Sequence, residues 1–593
     1  MMWLFRSRRR AVLILGGSIG AAVLGAVLLD RALEAALRTP VDAYLRKRTL
    51  VLAHADSSPG LTIDLPVLRL SLLRRRLDLH DVRIRFDQAT GGEVLHFEAD
   101  APLIVLTGLD LSDLIWRRSL RLSGVAIDRP AIRRRRAAPP DSTPPRPDAE
   151  PGDTLPVTIT SPDSLLFRLV AAWLPDAVRG ARIDRVRVTG ATVQSEEVRG
   201  SAVSRDFTAG LALELRGLQL DSASHRVFER GTLEAQRFVH ASEHPRDSLV
   251  LTAVAVTVTP DDTTFDIGEL RTGRTGDGHQ LRVVGIRRSH ARQVLTVDSL
   301  TYAPAGSDST FFAAARSRAT RVRLTATGLH ATGLRQQNLR HRRITAGGVW
   351  IARAELDLLA DRRPPPGPDR ARRLWPARLA ALPWTVGSDS IVLAAGTIRY
   401  GELMPGRPLP GSVQFTQVHA RIHGLSNDSA AADTPVRIRA AAKLFGEGPL
   451  ATDIEVPVRR GPIRIHARGE LGQLPLASFN SFLLPGNGIE ITQGMLQTAQ
   501  FEFTIAGGRA TGELRAGWKD LELRLVDKVT GKQNFGKKLT SMVAGTMVRH
   551  ERLPNKEGRL KPTPIFYEQA PGDTFFGLLW RAVRSGMVKA VKN

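Results

Sequence analysis

The chain has 593 residues, enough for several domains, and its 42% hydrophobic content is enough to build a folded core. It contains no cysteine, so no disulfide bond stabilises it. The formal net charge is +25, a value that would suggest nucleic-acid binding in a cytosolic protein. The partner that this charge implies therefore depends on which side of a membrane the chain occupies.

The N-terminal segment indicates membrane attachment. Residues 1–10 form a basic tail with four arginines, and residues 11–29 contain no charged side chain. At about 1.5 Å per residue this stretch is roughly 28 Å long, close to the hydrocarbon thickness of a bilayer. We therefore predict a transmembrane helix over 11–29, and a cleaved signal peptide is the alternative. The arginines before the span predict a cytoplasmic N-terminus, with the bulk of the chain exported.

An exported domain meets no genome, so nucleic acid is not an expected partner. Anionic lipid headgroups or acidic polysaccharide would match the basic charge. The alternative is an arginine-rich surface that is simply solvated.

The dominant pattern after the predicted span is alternation of apolar and polar residues, which indicates strands with one apolar face. Clear examples are residues 82–86 (VRIRF), 183–188 (IDRVRV), 211–215 (LALEL), 436–439 (VRIR) and 521–525 (LELRL). Helical patterns between these segments are scarce, so the sequence predicts a large, mostly antiparallel sheet with a few short helices.

The alternation changes phase at two places. Leu77 and Leu79 are followed by Val82, and Leu215 is followed by Leu218. A β-bulge or a tight turn would absorb the extra residue at each place.

Two segments rich in proline, 137–156 and 361–376, read as linkers or loops. Together with the tail and the span, these two segments divide the chain into three predicted β regions. They are an N-terminal β region over 30–136, a middle region of β repeats over 157–360 and a C-terminal β region over 377–530. A basic segment, 531–572, and an amphipathic helix, 573–593, complete the chain.

Motifs that suggest catalysis are poor matches. Gly16-Gly17-Ser18-Ile19-Gly20 has the spacing of a nucleophile elbow but lies inside the predicted span. Residues 531–538 resemble a phosphate-binding loop, except that Lys538 replaces the required Ser or Thr. We predict no catalytic residue, metal site or cofactor, and a site assembled from distant residues is the remaining alternative. Gly16 and Gly20 also permit helix pairing, which leaves homo-oligomerisation open.

The C-terminal segment has helical spacing with an aromatic start and a basic face. Such a helix suits a membrane interface or the end of an apolar sheet. The candidate membrane-interface residues are Phe575, Phe576, Trp580, Arg581 and Arg584. Packing on the protein's own sheet is the alternative.

Three C-terminal segments resemble the signature of a known family: residues 474–482 (LPLASFNSF), 489–496 (IEITQGML) and 512–521 (GELRAGWKDL). Their order resembles the C-terminal signature of the AsmA-like proteins of Gram-negative envelopes. Residues 70–84 and 125–130 (VAIDRP) are similar to the family's opening unit. The resemblance covers both ends of the chain and leaves most of 200–380 with general β character only.

The resemblance implies a protein anchored in the bacterial inner membrane that carries an elongated, curved sheet in the periplasm. Its apolar groove would shield phospholipid acyl chains during transport between the inner and outer membranes and so support envelope integrity. The alternative is a non-catalytic scaffold or regulator of outer-membrane assembly, with envelope proteins as partners. The candidate groove residues are Ile438, Ile465, Phe501, Phe503, Ile505, Leu521 and Leu523.

Overall fold

The structure is a computed structural model of the chain. It describes residues 62–64, 67–71, 73–90, 93–110, 113, 116, 119–138, 180–199, 202–221, 228–240, 248–273, 278–337, 342–365, 374–407, 409–428, 430, 434–459, 464–525, 549–570 and 573–592. The predicted tail 1–10, the predicted span 11–29 and most of the segment 137–156 lie outside these residues. Within them, no helix combines the length and the apolar character needed to cross a bilayer.

The prediction of a mainly β protein is confirmed, and the chain forms two compact units, residues 1–268 and 269–593. The boundary between the units falls inside the predicted middle region rather than in either Pro-rich segment. The strands of the first unit are β1 (Thr62–Asp64), β2 (Val67–Ser71), β3 (Arg76–Thr90), β4 (Glu93–Thr107), β5 (Ser119–Leu122), β6 (Gly124–Asp128), β7 (Ala131–Ala138), β8 (Gly180–Arg199), β9 (Ala202–Asp221), β10 (Arg230–His240) and β11 (Leu249–Val258), and β12 (Thr263–Thr272) contains the boundary.

Pairing in the first unit is mixed. Strand β3 pairs with β1, β2 and β4, and β4 pairs with β6 and β7, all antiparallel. Strands β5, β6 and β7 run parallel to β8, and β8 to β11 then pair antiparallel in sequence order. Most ladders are antiparallel, as expected, and the parallel pairings with β8 make the sheet mixed. A parallel neighbour needs a long crossover connection, and 139–179 supplies it between β7 and β8.

Both predicted phase slips are confirmed. Asp81 has a positive φ of 53° between Leu79 and Val82, and Gly217 has a φ of 64° just before Leu218. A residue with this left-handed backbone breaks the strand's alternation and resets which side chains face inward.

The second unit contains fourteen further strands among the described residues. Its connections include three helices and a short 3-10 helix, and a fourth helix follows the last strand. The strands are β13 (His279–Ser289), β14 (Val294–Pro304), β15 (Ala319–Thr332), β16 (Arg335–Gln337), β17 (Arg343–Asp361), β18 (Thr385–Leu403), β19 (Gly411–Ser426), β20 (Val436–Leu444), β21 (Gly448–Val456), β22 (Arg464–Leu471), β23 (Leu474–Pro475), β24 (Ile489–Ala506), β25 (Arg509–Leu525) and β26 (Thr563–Glu568). The helices are α1 (Asp308–Ala314), α2 (Trp375–Ala380), the 3-10 helix Leu476–Phe479, α3 (Asn480–Asn487) and α4 (Phe575–Lys592).

The ladder of the second unit runs β13, β14, β15, β17, β18, β19, β20, β21, β22, β24, β25 and β26. Strands β16 and β23 add short pairings to β17 and β24. Only the β17–β18 pair is parallel in these ladders, and the second Pro-rich segment lies in the connection between them. Each Pro-rich segment therefore belongs to a connection between parallel neighbours, where a long crossover is required.

Candidate functional site

One face of the second unit's sheet is apolar across many strands. Residues that are directly opposite in a ladder project from the same face, so the registers trace rows of side chains across the sheet. One such row, which we call the apolar row, crosses β14, β15 and β17 to β21. Its members are Leu295, Ala331, Val349, Ile391, Ile422, Ile438 and Ile454.

The apolar row is only partly covered. Ala331 is buried, and the six larger side chains are half-buried. The row continues through Ala467 of β22 to Phe503 of β24, and both of these are fully buried. Along this row the face is therefore partly open over β14 to β21 and closed over β22 to β26. Covering begins before β22, because Val436 and Val456, on the same face of β20 and β21, are already buried in the core.

Helix α4 closes that second part. Its residues Leu578, Ala582 and Ala590 are buried in one core with the side chains of β22 to β26. A Cβ on Gly586 would lie 2.9 Å from Ile565 Cγ1 and 3.0 Å from Leu514 Cβ, so the helix backbone rests directly on β25 and β26. The predicted helix at 573–593 is thus present, and Thr574 caps it by accepting a hydrogen bond from Gly577 N (3.0 Å).

The contacts of Arg581 show that the sheet curls around this helix. Its guanidinium binds Glu402 of β18 and also donates to the Tyr567 hydroxyl of β26 (3.0 Å). Seven ladder steps separate β18 from β26, which is about 34 Å in a flat sheet. A helix is only about 10–12 Å wide with its side chains, so a single arginine reaches both strands only if the sheet is strongly curved.

The structure divides the candidate groove residues into two groups. Ile465, Phe503, Ile505 and Leu521 are almost fully buried in the core that includes α4. These four lie on the apolar face, and the chain itself covers them. The others are more accessible: Ile438 and Phe501 are half-buried, and Leu523 is 38% exposed.

The candidate membrane-interface residues face the protein's own sheet and helices. The ring of Phe576 lies 5.5 Å from that of Tyr400 and 5.3 Å from that of Phe415. The partners of the other four are Trp375 for Phe575, Phe482 for both Trp580 and Arg584, and the β18 and β26 side chains for Arg581. Membrane binding through these side chains stays a prediction, and it would require α4 to leave the sheet.

A buried ionic cluster fixes the start of α4. Arg362 donates to Asp573 (3.0 Å), Tyr567 donates to the other oxygen of Asp573 (2.8 Å), and Tyr400 donates to Glu402 (2.6 Å). Burial alone would raise the pKa of Glu402, but the charge of Arg581 and the hydrogen bonds from Tyr400 and Arg581 outweigh it, so the pKa is lowered. Burial and the adjacent Glu402 carboxylate raise the pKa of Tyr400. The lowered pKa keeps the buried Glu402 carboxylate charged beside Arg581.

Several members of the apolar row were not predicted from the sequence, including Val349, Ile391, Ile422 and Ile454. A local signal existed for Ile422, because the apolar residue lies between Arg421 and His423 in the same alternating pattern as the strands that were recognised. Glu402 had no such signal, since a single glutamate two positions after a tyrosine is ordinary in a strand.

Comparison with known proteins adds no assignment: no model of a protein family matches the chain, and no curated protein matches it significantly.

Proposed function

We propose that the protein is a lipid-binding protein of the bacterial envelope, anchored in the inner membrane, which shields phospholipid acyl chains on the apolar face of its second unit. The observation that carries this proposal is the half-buried apolar row over β14 to β21. Apolar surface of this extent is costly in water, and an acyl chain is a ligand that would cover it.

The dimensions of the row support an acyl chain as its ligand. Seven strands at about 4.8 Å spacing give a row of roughly 29 Å. Each leaflet contributes about half of a hydrocarbon core of about 30 Å, so an extended acyl tail is about 15 Å long. The row offers enough apolar length for a whole tail and part of a second one.

The charge and the N-terminal sequence support the proposed location of the protein at the inner membrane. A net charge of +25 favours contact with anionic headgroups, and the predicted span over 11–29 would hold the exported domain at the inner membrane. The resemblance to AsmA-like proteins implies the same role, with lipid passing between the inner and outer membranes.

Ile422→Glu is the informative substitution. It places a carboxylate at a half-buried position of the apolar row, which water reaches whenever lipid is absent, so we expect the fold to survive and lipid binding to fall. His423→Glu is the matched control, because His423 is the next residue on β19 and is exposed on the opposite face. Lipid that co-purifies with the full-length chain would be quantified by mass spectrometry, and folding would be checked by circular dichroism.

A large loss of phospholipid in Ile422→Glu, with wild-type amounts in His423→Glu, would support the proposal. Equal lipid content in the wild type and in a folded Ile422→Glu protein would contradict it. So would an absence of phospholipid from the purified wild-type chain.

A further inference from the structure

A trough lies on the polar face of the same sheet, which is the face opposite the apolar row. The trough crosses the strands from β17 to β25 and has a volume of about 860 Å³. Small side chains such as Ala441 and Ala451 line its middle, and charged side chains line its length. Because neighbouring positions on a strand project to opposite faces, an occupant of the trough would not touch the apolar row.

One half of the trough is cationic. Arg421 and Arg439 are directly opposite on β19 and β20, a like-charge pairing that is unfavourable by itself. Asp453 is shared between Arg439 (3.5 Å) and Arg468 (3.2 Å). Arg421 has no ion pair among the described residues. This half therefore holds three guanidiniums and one carboxylate.

The other half is anionic. Glu502 and Glu513 are directly opposite on β24 and β25, which is a second like-charge pairing. Glu513 pairs with Arg515 (3.0 Å), while Glu470 has no ion pair in the part of the chain that the structure describes. Glu502 is 64% exposed, and its partner His466 (3.4 Å) carries a charge only when protonated. The trough is thus dipolar along its length.

The trough's dimensions match one extended polypeptide. The eight strands of the ladder from β17 to β25 cover about 34 Å, the length of roughly ten residues in extended conformation. Only two rows of side chains border the trough, so it is wide enough for one chain. At the cationic end Trp350, which is 48% exposed, and Val392 provide an apolar contact.

We propose that this trough binds an extended segment of a partner protein, about ten residues long, with acidic side chains near Arg421 and Arg439 and basic side chains near Glu502 and Glu513. A polyanion would meet repulsion in the glutamate half, and a neutral glycan would leave both like-charge pairs uncompensated. A chain that carries both charges in separate blocks satisfies both halves.

Two fluorescent ten-residue peptides test the proposal. The block peptide has three aspartates, four serines and three lysines in that order, and the mixed peptide has the same composition with alternating charges. Fluorescence anisotropy with the full-length chain at low salt should give about tenfold tighter binding for the block peptide, and high salt should remove the difference. Inorganic polyphosphate serves as a polyanion probe and should bind more weakly than the block peptide.

Charge reversals locate the binding. Arg439→Glu and Glu502→Arg should each weaken the block peptide about tenfold. Arg437→Glu should leave its binding unchanged, because Arg437 pairs with Glu455 (3.1 Å) outside the trough. The proposal is overturned if neither peptide binds at low salt, if both bind equally, if polyphosphate binds more tightly, or if Arg437→Glu weakens binding as much as Arg439→Glu.

Discussion

Arg581 of helix α4 forms a buried ion pair with Glu402 of β18, and the two side chains are only 15% and 2% exposed. The residues are 179 positions apart in the chain. Together with the Tyr567 contact, this pair joins the helix to β18 and β26, which are seven ladder steps apart. The packing of these strands therefore depends on the position of α4.

Glu402→Gln is expected to destabilise the second unit strongly. The substitution keeps the shape of the side chain but leaves the buried Arg581 without its carboxylate, and breaking one side of a buried ion pair costs about 3–5 kcal/mol. Thermal unfolding of the full-length chain would show a lower melting temperature. Glu568→Gln is the control, since Glu568 pairs with Arg509 on the surface and its loss should change stability by less than about 1 kcal/mol.

The same pair predicts a dependence on acidity. The pKa of Glu402 in the folded protein lies below its ordinary value because Arg581, Tyr400 and Arg362 outweigh the effect of burial. A lowered pKa stabilises the fold above the unfolded value of about 4.3, and this contribution is lost as the pH falls through the folded pKa. The difference in melting temperature between wild type and Glu402→Gln should be constant from pH 6 to 8 and should shrink below about pH 4. An unchanged difference at pH 3.5 would contradict the assignment.

Phe503→Glu should behave unlike Ile422→Glu. Phe503 is 2% exposed in the core beneath α4, so a carboxylate there has neither water nor a partner and should cost several kcal/mol. We expect a marked drop in soluble protein or in melting temperature. Glu502→Phe, at the adjacent exposed position, should leave stability nearly unchanged. Normal stability of Phe503→Glu would show that the face is open at β24 as well.

The contrast between these positions marks how far the sequence could predict the structure. Alternation along a strand is local, so the shared face of Phe501, Phe503 and Ile505 was readable from the sequence. Which part of that face is covered depends on α4, which is distant in the chain and packs only because the sheet curls. The parallel pairing of β17 with β18 was equally hidden, since alternation carries no information about strand direction.

The polar trough could not be predicted for a related reason. Each of its charged residues occupies an ordinary exposed strand position, and the order of charge appears only when the ladder aligns β19 to β25. Arg421 and Arg439 are 18 positions apart, and nothing in the chain marks them as opposite residues until their register is known.

Gly586→Leu tests whether α4 is able to bind membranes once it leaves the sheet. Gly586 has no room for a side chain against Ile565 and Leu514, so a leucine should push the helix away and expose its aromatic residues beside Arg581 and Arg584. A basic amphipathic helix released in this way should bind anionic vesicles, in a manner that weakens as salt rises. Co-sedimentation of the full-length chain with such vesicles should therefore increase over the wild type. Val588→Leu, at an exposed position of the same helix, should leave both stability and vesicle binding unchanged. If Gly586→Leu lowers the melting temperature without any gain in vesicle binding, α4 is a structural element of the sheet and its basic, aromatic character serves only the contacts with β18, β25 and β26.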